Sequence, residues 1–398
     1  MSRPYLEFLS TVLMFAASAV AETNSLATVL QPFVDRGELS GAIAILGDGA
    51  REEVACVGYA DVAMKRLISL DDPFQQCSQT KGFCGVTVAM LVEQGRLRLD
   101  DPISRYLPEF RELWYVAAVT NGEKILRRVT KGPTIRQSLN HTAGFDFELP
   151  SHLLIGGWSR RMPLRSVAAM AAGLPLLHEP GVKVKYSNVG IDVAAAVVER
   201  VTGRRWEEFL KERVLDPLGM TSTTFVPTDE RLAQRIRLYE MKPKQVAVLK
   251  DYHPAMAPPY NDDRIFASAG AGLWTTARDQ LKFYRMLMNL GMGENGVRIL
   301  KEDTVRNLLA VSSRPEGMEG YSLGLLAPVR DTPDGWFGHG GAWRTSAMVN
   351  YHGRRLKLFV VQQLGPFESE FKQAFEKYAA EFFKGRNGSA DAYTGRMD

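Results

Sequence analysis

A serine and a lysine three positions apart, Ser78 and Lys81, form the first candidate catalytic pair of the sequence. They stand at the start of a predicted helix over residues 79–95, so the amine can reach the hydroxyl on a shared helical face. A serine alone is a poor nucleophile and needs an adjacent base. A lysine buried against an apolar helix has its pKa lowered enough to act as that base. The pair therefore predicts attack on a carbonyl group, and the free backbone N–H groups of the first helical turn favour the negative charge that develops there.

The same spacing arises by chance about once in a chain of this size, and a second copy is present at Ser369 and Lys372. This copy lies in a predicted amphipathic helix among Glu368, Glu370 and Lys377, a pattern typical of a solvated surface. We therefore expect chemistry at the first copy and none at the second.

Two further motifs could complete a site with this pair. Tyr186 and Asn188 put a phenol and a carboxamide two residues apart on a loop before a predicted helix. Taken alone, such a group is more typical of a loop tyrosine with an Asx-type cap. His339 is followed by two glycines on a predicted strand, where paired glycines mark a bulge or the close approach of another group, such as a ligand.

In this order, the three motifs resemble those of the serine β-lactamase and penicillin-binding protein superfamily, nearest its class C and esterase branch. The flanking segments LNHTAGF, EPGVKVKYSN, DPLGMTSTTF, SAGAGLWTTARD and GHGGAW are also similar to that superfamily, and the resemblance runs from about residue 26 to residue 384. It implies an acyl-enzyme mechanism that uses no metal ion and no organic cofactor.

The resemblance also implies a role for each matching residue. Ser78 would be acylated, Lys81 would hold or accept its proton, and Tyr186 would relay a proton to the leaving group and later help to activate water. Asn188 would contact the polar backbone of the substrate. The backbone N–H groups of Ser78 and Ala342 would form the oxyanion hole.

His339 departs from the pattern of many members, which carry Lys-Thr-Gly at this place. A lysine supplies a permanent charge for a substrate carboxylate, whereas a histidine of ordinary pKa, about 6.5, is mostly neutral at pH 7. We therefore expect esters, D-amino-acid amides or small peptides as substrates, with β-lactam hydrolysis weak or absent. Strand alternation puts His339, Gly341 and Trp343 on one face. On this basis Trp343 is expected to wall the acyl pocket, while Arg344 points to the other face.

The other histidines and the cysteines carry no predicted chemistry. His141, in LNHTAGF, is interpreted as a hydrogen-bonded turn residue, and the histidines have no H-x-x-x-H or H-x-H spacing that would indicate zinc. Cys77 and Cys84 are separated along one helix by about 10 Å of rise, beyond the ~7 Å that a disulfide can bridge. Together with Cys56, they are expected to be free thiols.

Strand-like segments occur at both ends of the chain, and helical periodicity dominates between them. A helix is predicted over residues 26–36, then a hairpin in GAIAIL and EVACVG. Beyond about residue 320, strands are predicted in YSLGLLAPV, WFGHG, TSAMVNY and KLFVVQQL, before a helix over residues 367–383.

These elements predict an α/β (α+β) fold with an antiparallel sheet built from both termini and flanked by helices. We assign this sheet domain to residues 22–95 and 286–384, and a mainly helical inserted domain to residues 96–285. The resemblance implies that the fold is of the β-lactamase/transpeptidase type. A site is expected in the cleft between the two parts.

Residues 1–21 are typical of a secretory signal peptide. The apolar run over residues 8–20 is shorter than the ~20 residues that cross a bilayer, and Ala19-Val20-Ala21 is a small-x-small cleavage site. We expect a secreted or periplasmic protein without stable membrane insertion after cleavage, with a retained anchor as the alternative. Residues 385–398 are expected to be a flexible tail.

Composition narrows the function further. Hydrophobic residues make up 45% of the 398 and charged residues 24%, an ordinary globular balance. A net charge of +4 spread over this length cannot form the basic face that nucleic-acid binding needs.

The sequence therefore predicts a serine hydrolase, either a carboxylesterase or an enzyme like the D-aminopeptidases and carboxypeptidases, acting on a small ester, amide or peptide. The alternative is a non-hydrolysing protein on the same scaffold that binds penicillin or cell-wall peptides. The oligomeric state stays open.

Overall fold

The computed structural model describes residues 25–384, apart from 151–162, 242–246, 250–265, 311, 315–319, 329–331 and 366–368. The predicted signal peptide and the predicted C-terminal tail therefore lie outside the described residues. No helix within the described ranges is long and apolar enough to span a membrane.

The strands of the described residues are between two and ten residues long. They are β1 (Gly41–Gly47), β2 (Glu52–Asp61), β3 (Arg66–Leu67), β4 (Phe74–Gln75), β5 (Trp114–Thr120), β6 (Glu123–Arg128), β7 (Tyr239–Glu240), β8 (Val248–Leu249), β9 (Trp274–Thr275), β10 (Phe337–Gly340), β11 (Ser346–Asn350), β12 (Arg355–Val360) and β13 (Gln363–Leu364). The α-helices are α1 (Leu26–Asp35), α2 (Thr80–Glu93), α3 (Ile135–Leu139), α4 (Leu164–Ala172), α5 (Asn188–Thr202), α6 (Trp206–Leu210), α7 (Asp229–Ala233), α8 (Ala277–Met288), α9 (Glu302–Leu309) and α10 (Glu370–Phe382).

The main sheet joins the two ends of the chain. Its six strands run in the order β10-β11-β12-β1-β2-β3. Ile43 of β1 lies opposite Val360 of β12 on one side and Cys56 of β2 on the other, and both pairings are antiparallel. The prediction of one antiparallel sheet built from both termini and flanked by helices is therefore confirmed.

Helices cover both faces of this sheet, which is why every residue of β1 is buried. Ala42 and Ala44 face the core that includes α1 and α10. Ile43 and Ile45 face the larger core that includes α2 and α8. Phe83 of α2 stacks on a phenylalanine of α8 with 3.7 Å between ring centroids. Helix α2 is buried along most of its length, so its N-terminal end is held rigidly in the middle of the molecule.

The expectation that strands nearly vanish between residues 96 and 285 is wrong. Strands β5 and β6 form an antiparallel hairpin there, and most of its side chains are exposed. Its turn is Asn121-Gly122, with φ of 53° and 82°. An Asn-Gly pair favours this type of hairpin turn, so the sequence did contain a local signal for it.

The predicted strand YSLGLLAPV is also wrong. Tyr321 and Leu326 form only isolated bridges, and between them the Ser322 N–H donates to the Leu325 carbonyl at 2.8 Å, which closes a turn. The segment is therefore a loop, and the loop places Tyr321 beside His339.

Candidate active site

Ser78 lies in a single 3-10 turn, Cys77–Gln79, directly before α2. Cys77 has a φ of 50°, in the left-handed region that is uncommon for side chains larger than glycine. This turn leaves Ser78 half-buried at the N-terminal end of the buried helix. The Lys81 Nζ donates to its Oγ at 3.1 Å, so the structure brings the first predicted pair into direct contact.

Lys81 is completely buried and its amine has three oxygen neighbours. Besides Ser78, Nζ donates to Asn188 Oδ1 at 2.6 Å and to the Gly270 carbonyl at 2.8 Å. Two of these oxygens can only accept hydrogen bonds. A neutral amine that donates to both therefore directs its lone pair at the Ser78 hydroxyl.

The charge state of Lys81 follows from its burial. Desolvation lowers the pKa of Lys81 to about 7, although the nearby Asp192 carboxylate opposes this shift. Much of the amine is therefore neutral near pH 7. In that form it can accept the proton of Ser78.

Tyr186 lies beside the same pair. Its ring lies 4.6 Å from Lys81 Nζ, and its hydroxyl lies near the Ser78 side chain. Desolvation of the hydroxyl raises the pKa of Tyr186 well above its usual range. The phenol is therefore neutral at physiological pH. In this form it can relay a proton but does not act as a phenolate base.

His339 of β10 is buried, and both of its ring nitrogens have partners. Tyr321 Oη lies 2.9 Å from Nε2 and Tyr186 Oη lies 3.4 Å from it, while Nδ1 lies 2.5 Å from the Gly340 carbonyl. Because that carbonyl can only accept, Nδ1 carries the hydrogen and Nε2 accepts from the phenols. Burial, followed by the charge of Lys81, lowers the pKa of His339 to about 3. His339 therefore provides no positive charge in the cleft.

Asn188 begins α5 and connects Lys81 to Glu148. Its Oδ1 accepts from Lys81, and its Nδ2 donates to Glu148 Oε1 at 3.3 Å. The resemblance implied a contact with substrate at this residue. The structure places the Asn188 amide between the lysine and a carboxylate that the sequence analysis did not single out.

Asp192 lies one helical turn after Asn188 and is also buried. Its Oδ1 accepts from the Gly270 N–H at 3.1 Å and from Ser268 Oγ at 3.2 Å. A side chain at residue 270 would come within 2.8 Å of the Asn188 Cβ, so glycine is needed for this close approach. Asp192 therefore fixes the turn that presents the Gly270 carbonyl to Lys81.

The predicted continuation of β10 through Gly341 and Trp343 is wrong, because the strand ends at Gly340 and a tight turn follows. The backbone of Gly341 packs on the turn that carries Ser78: a Cβ there would lie 2.5 Å from the Gln76 carbonyl. The close approach that requires glycine at this position is therefore made by the protein's own backbone and not by a ligand. The Trp343 indole donates to Gln75 Oε1 at 3.1 Å.

The turn also sets the positions of Ala342 and Arg344. The backbone of Ala342 and Trp343 lies next to Cys77, which immediately precedes Ser78. Arg344 has a φ of 65°, and its guanidinium lies 5.3 Å from the Phe371 ring of α10. It packs against that helix and does not supply a charge for substrate.

His141 was predicted to be a turn residue, and this is confirmed. It has a φ of 66°, and its Nδ1 accepts from the Ser187 N–H at 3.2 Å. Its ring centroid lies 4.4 Å from those of both Tyr186 and Tyr321. The histidine therefore supports the loop that carries Tyr186.

The three cysteines are free thiols, as predicted: Cys56 is exposed, and Cys77 and Cys84 are buried. Among the described residues there is no group of three or more histidine, cysteine, aspartate or glutamate side chains that could hold a metal ion.

The chain matches the Beta-lactamase family model over residues 26–380. Protein Rv1367c of Mycobacterium tuberculosis (strain ATCC 25618 / H37Rv) is 33% identical over 325 residues, which cover 79% of this chain and 77% of that protein. Lovastatin esterase of Penicillium rubens is 27% identical over 405 residues, 89% of this chain and 98% of the esterase.

Among solved structures, simvastatin synthase (LovD) from Aspergillus terreus superposes with a TM-score of 0.72 at 20% identity, covering 91% of this chain and 98% of that chain. At this identity the likeness establishes the fold alone. The family match covers the great majority of the chain and includes all three motifs. The chain therefore belongs to the beta-lactamase family.

Proposed function

We propose that this protein is a serine hydrolase that acts through an acyl-enzyme on esters or on D-amino-acid-type amides and peptides, with β-lactam hydrolysis weak or absent. The observation that carries the proposal is the environment of Lys81. The Asn188 Oδ1 and the Gly270 carbonyl accept hydrogen bonds from its amine. The lone pair of the neutral amine then faces Ser78 Oγ at 3.1 Å. This is the arrangement that a general base needs next to a serine nucleophile.

In the acylation step, Ser78 Oγ forms a bond to the substrate carbonyl carbon and its proton moves to Lys81 Nζ. The negative charge on the carbonyl oxygen is received by backbone N–H groups of Ser78 and Ala342, a contribution of several kcal/mol in comparable sites. Collapse breaks the bond to the leaving alcohol or amine. The proton reaches that group from Lys81 through the Tyr186 hydroxyl.

In the deacylation step, a water molecule attacks the acyl carbon and gives its proton to the same pair of side chains. The acid is released, and Ser78 regains its proton. Because the pKa of Tyr186 is raised, the phenol donates one hydrogen as it accepts another. Each cycle consumes one water molecule and needs no other reagent.

The charges around the cleft favour substrates without a carboxylate. His339 is neutral, Arg344 faces α10, and Glu148 adds a negative charge beside Asn188. β-Lactams carry a carboxylate, so their binding would be opposed at this position. The likeness to lovastatin esterase supports an ester substrate.

Turnover of p-nitrophenyl butyrate tests the proposal. We expect many turnovers per enzyme, loss of activity in Ser78→Ala, and full activity in the matched control Ser369→Ala, which changes the serine of the second Ser-x-x-Lys copy. Stoichiometric acylation of Ser78 without turnover would support the binding-protein alternative. Unchanged hydrolysis by Ser78→Ala would refute the proposed nucleophile.

A further inference from the structure

We infer that Glu148 receives a protonated amine of the substrate, so that the enzyme prefers amino-acid esters, amides or peptides with a free amino group next to the scissile carbonyl. This inference rests on the proposed function and names its substrate class.

Glu148 is held in a fixed position relative to the nucleophile. The segment before it is tied to the Tyr186 motif, because Ser187 Oγ donates to the Asp146 carbonyl at 2.6 Å and the Asn188 N–H donates to the Phe147 carbonyl at 2.9 Å. The Glu148 carboxylate then meets the Asn188 amide. A continuous chain of hydrogen bonds thus leads from Ser78 through Lys81 and Asn188 to this carboxylate.

The Glu148 carboxylate is accessible and has acceptor capacity left over. The residue is only half-buried, and its contact with Asn188 uses one carboxylate oxygen. Within the described part of the chain, Glu148 forms no ion pair. Lys124 and Asp146 line the same small cavity as Glu148, and Lys124 is not bonded to it. The carboxylate oxygen that does not contact Asn188 is therefore available to a cation.

An ammonium group fits this position chemically. It brings three N–H donors and one positive charge, and a hydrogen bond between charged groups is about twice as strong as a neutral one. In an amino-acid ester or amide the amine lies roughly 2.5 Å from the carbonyl carbon, so its receptor must lie close to the nucleophile. Acetylating the amine removes the charge and adds bulk, and both changes oppose binding at a carboxylate.

The test compares kcat/KM for alanine methyl ester with kcat/KM for N-acetylalanine methyl ester, each as the D and the L enantiomer, at pH 6.5, where the amine is charged. We expect the free amine to be preferred by at least about tenfold in one enantiomeric series, which corresponds to about 1.4 kcal/mol. In Glu148→Gln this preference should fall by about tenfold. The glutamine keeps an oxygen for Asn188, so the within-enzyme ratio isolates the charge. The matched control Asp146→Asn removes an equal charge nearby and should keep the preference.

The outcomes distinguish failure of the proposed hydrolase function from failure of the proposed role of Glu148. Failure to hydrolyse p-nitrophenyl butyrate would overturn the proposed function itself. If that ester is hydrolysed but the free amine is not preferred, or neither alanine ester is turned over, the role of Glu148 is refuted. A preference that survives Glu148→Gln refutes it as well.

Discussion

Replacing Asp192 with asparagine should move the pH profile of the enzyme towards acid. The asparagine side chain keeps an oxygen for the Gly270 N–H and Ser268 Oγ, so the turn that positions Lys81 is preserved. The substitution removes a negative charge that favours the ammonium form of Lys81. Lys81 must be neutral to accept the Ser78 proton, so loss of that charge lets the active form persist at lower pH.

The size of the shift follows from the geometry. One residue, Gly270, lies between the carboxylate and the amine: its N–H donates to Asp192 and its carbonyl accepts from Lys81. Two unit charges on the order of 6 Å apart interact by about 3 kcal/mol at an effective dielectric constant of about 20, equivalent to about two pKa units. Burial also raises the pKa of Asp192 to about 7, so the carboxylate is only partly charged near neutrality. We therefore expect the acidic limb of kcat/KM to move down by about one to two pH units.

The assay is kcat/KM for p-nitrophenyl butyrate between pH 5 and 9. The other titratable groups that face Lys81 are Cys77, Glu148, His141, His339 and Tyr186. Asp279→Asn is the matched control, because Asp279 is a buried carboxylate in the first turn of α8 and accepts from Thr223 away from the site. It should lower stability and leave the limb in place. A limb that stays fixed in Asp192→Asn, with activity merely reduced, would limit Asp192 to a structural role.

Three other outcomes follow from the same contacts. In the wild-type enzyme, kcat/KM for a neutral ester should rise with pH through about 7, since the pKa of Lys81 is lowered to about 7; a flat profile from pH 5 to 9 would exclude Lys81 as the base. Lys81→Ala should lower kcat by at least ~10²-fold. Its melting temperature should not fall, since the substitution removes a buried amine. An unchanged rate would mean that another group accepts the Ser78 proton. Tyr321→Phe deletes the 2.9 Å partner of His339 Nε2 and should cost about 1–2 kcal/mol of unfolding free energy in urea titration, whereas an unchanged midpoint would mean that Tyr186 alone satisfies the ring.

The residues that carry the motifs could be predicted because their residue types and short-range spacing are enough to indicate their chemistry. Ser78 and Lys81 are three apart on one helix, so their contact follows from helical geometry alone. His339 could be expected to lack charge because an ordinary histidine is mostly neutral at pH 7, and burial strengthens this.

The rest of the site depends on contacts between distant parts of the chain. Gly270 meets Lys81 through a backbone carbonyl, which every residue has, so no residue type marks it. Tyr321 reaches His339 only because its segment is a loop instead of the expected strand. Asp192 did have a signal, since it is four residues after Asn188 and therefore lies on the same face of α5. Glu148 had none that separates it from other surface acids.

The strand errors have a similar physical origin. The run from Tyr321 to Leu325 is buried because it packs as a loop against the core, and burial alone does not distinguish a loop from a strand. The hairpin of β5 and β6 is exposed on most of its surface, so it lacks the apolar alternation on which strand prediction relies.

The most direct test of the central claim, that Lys81 activates Ser78 as the nucleophile, is peptide mapping after reaction with a fluorophosphonate probe. We predict a single adduct on the peptide that contains Ser78, no adduct in Ser78→Ala, and labelling at pH 7 slowed by at least ~10²-fold in Lys81→Ala. An adduct on another residue, or equally fast labelling of Ser78 without the lysine, would contradict the account.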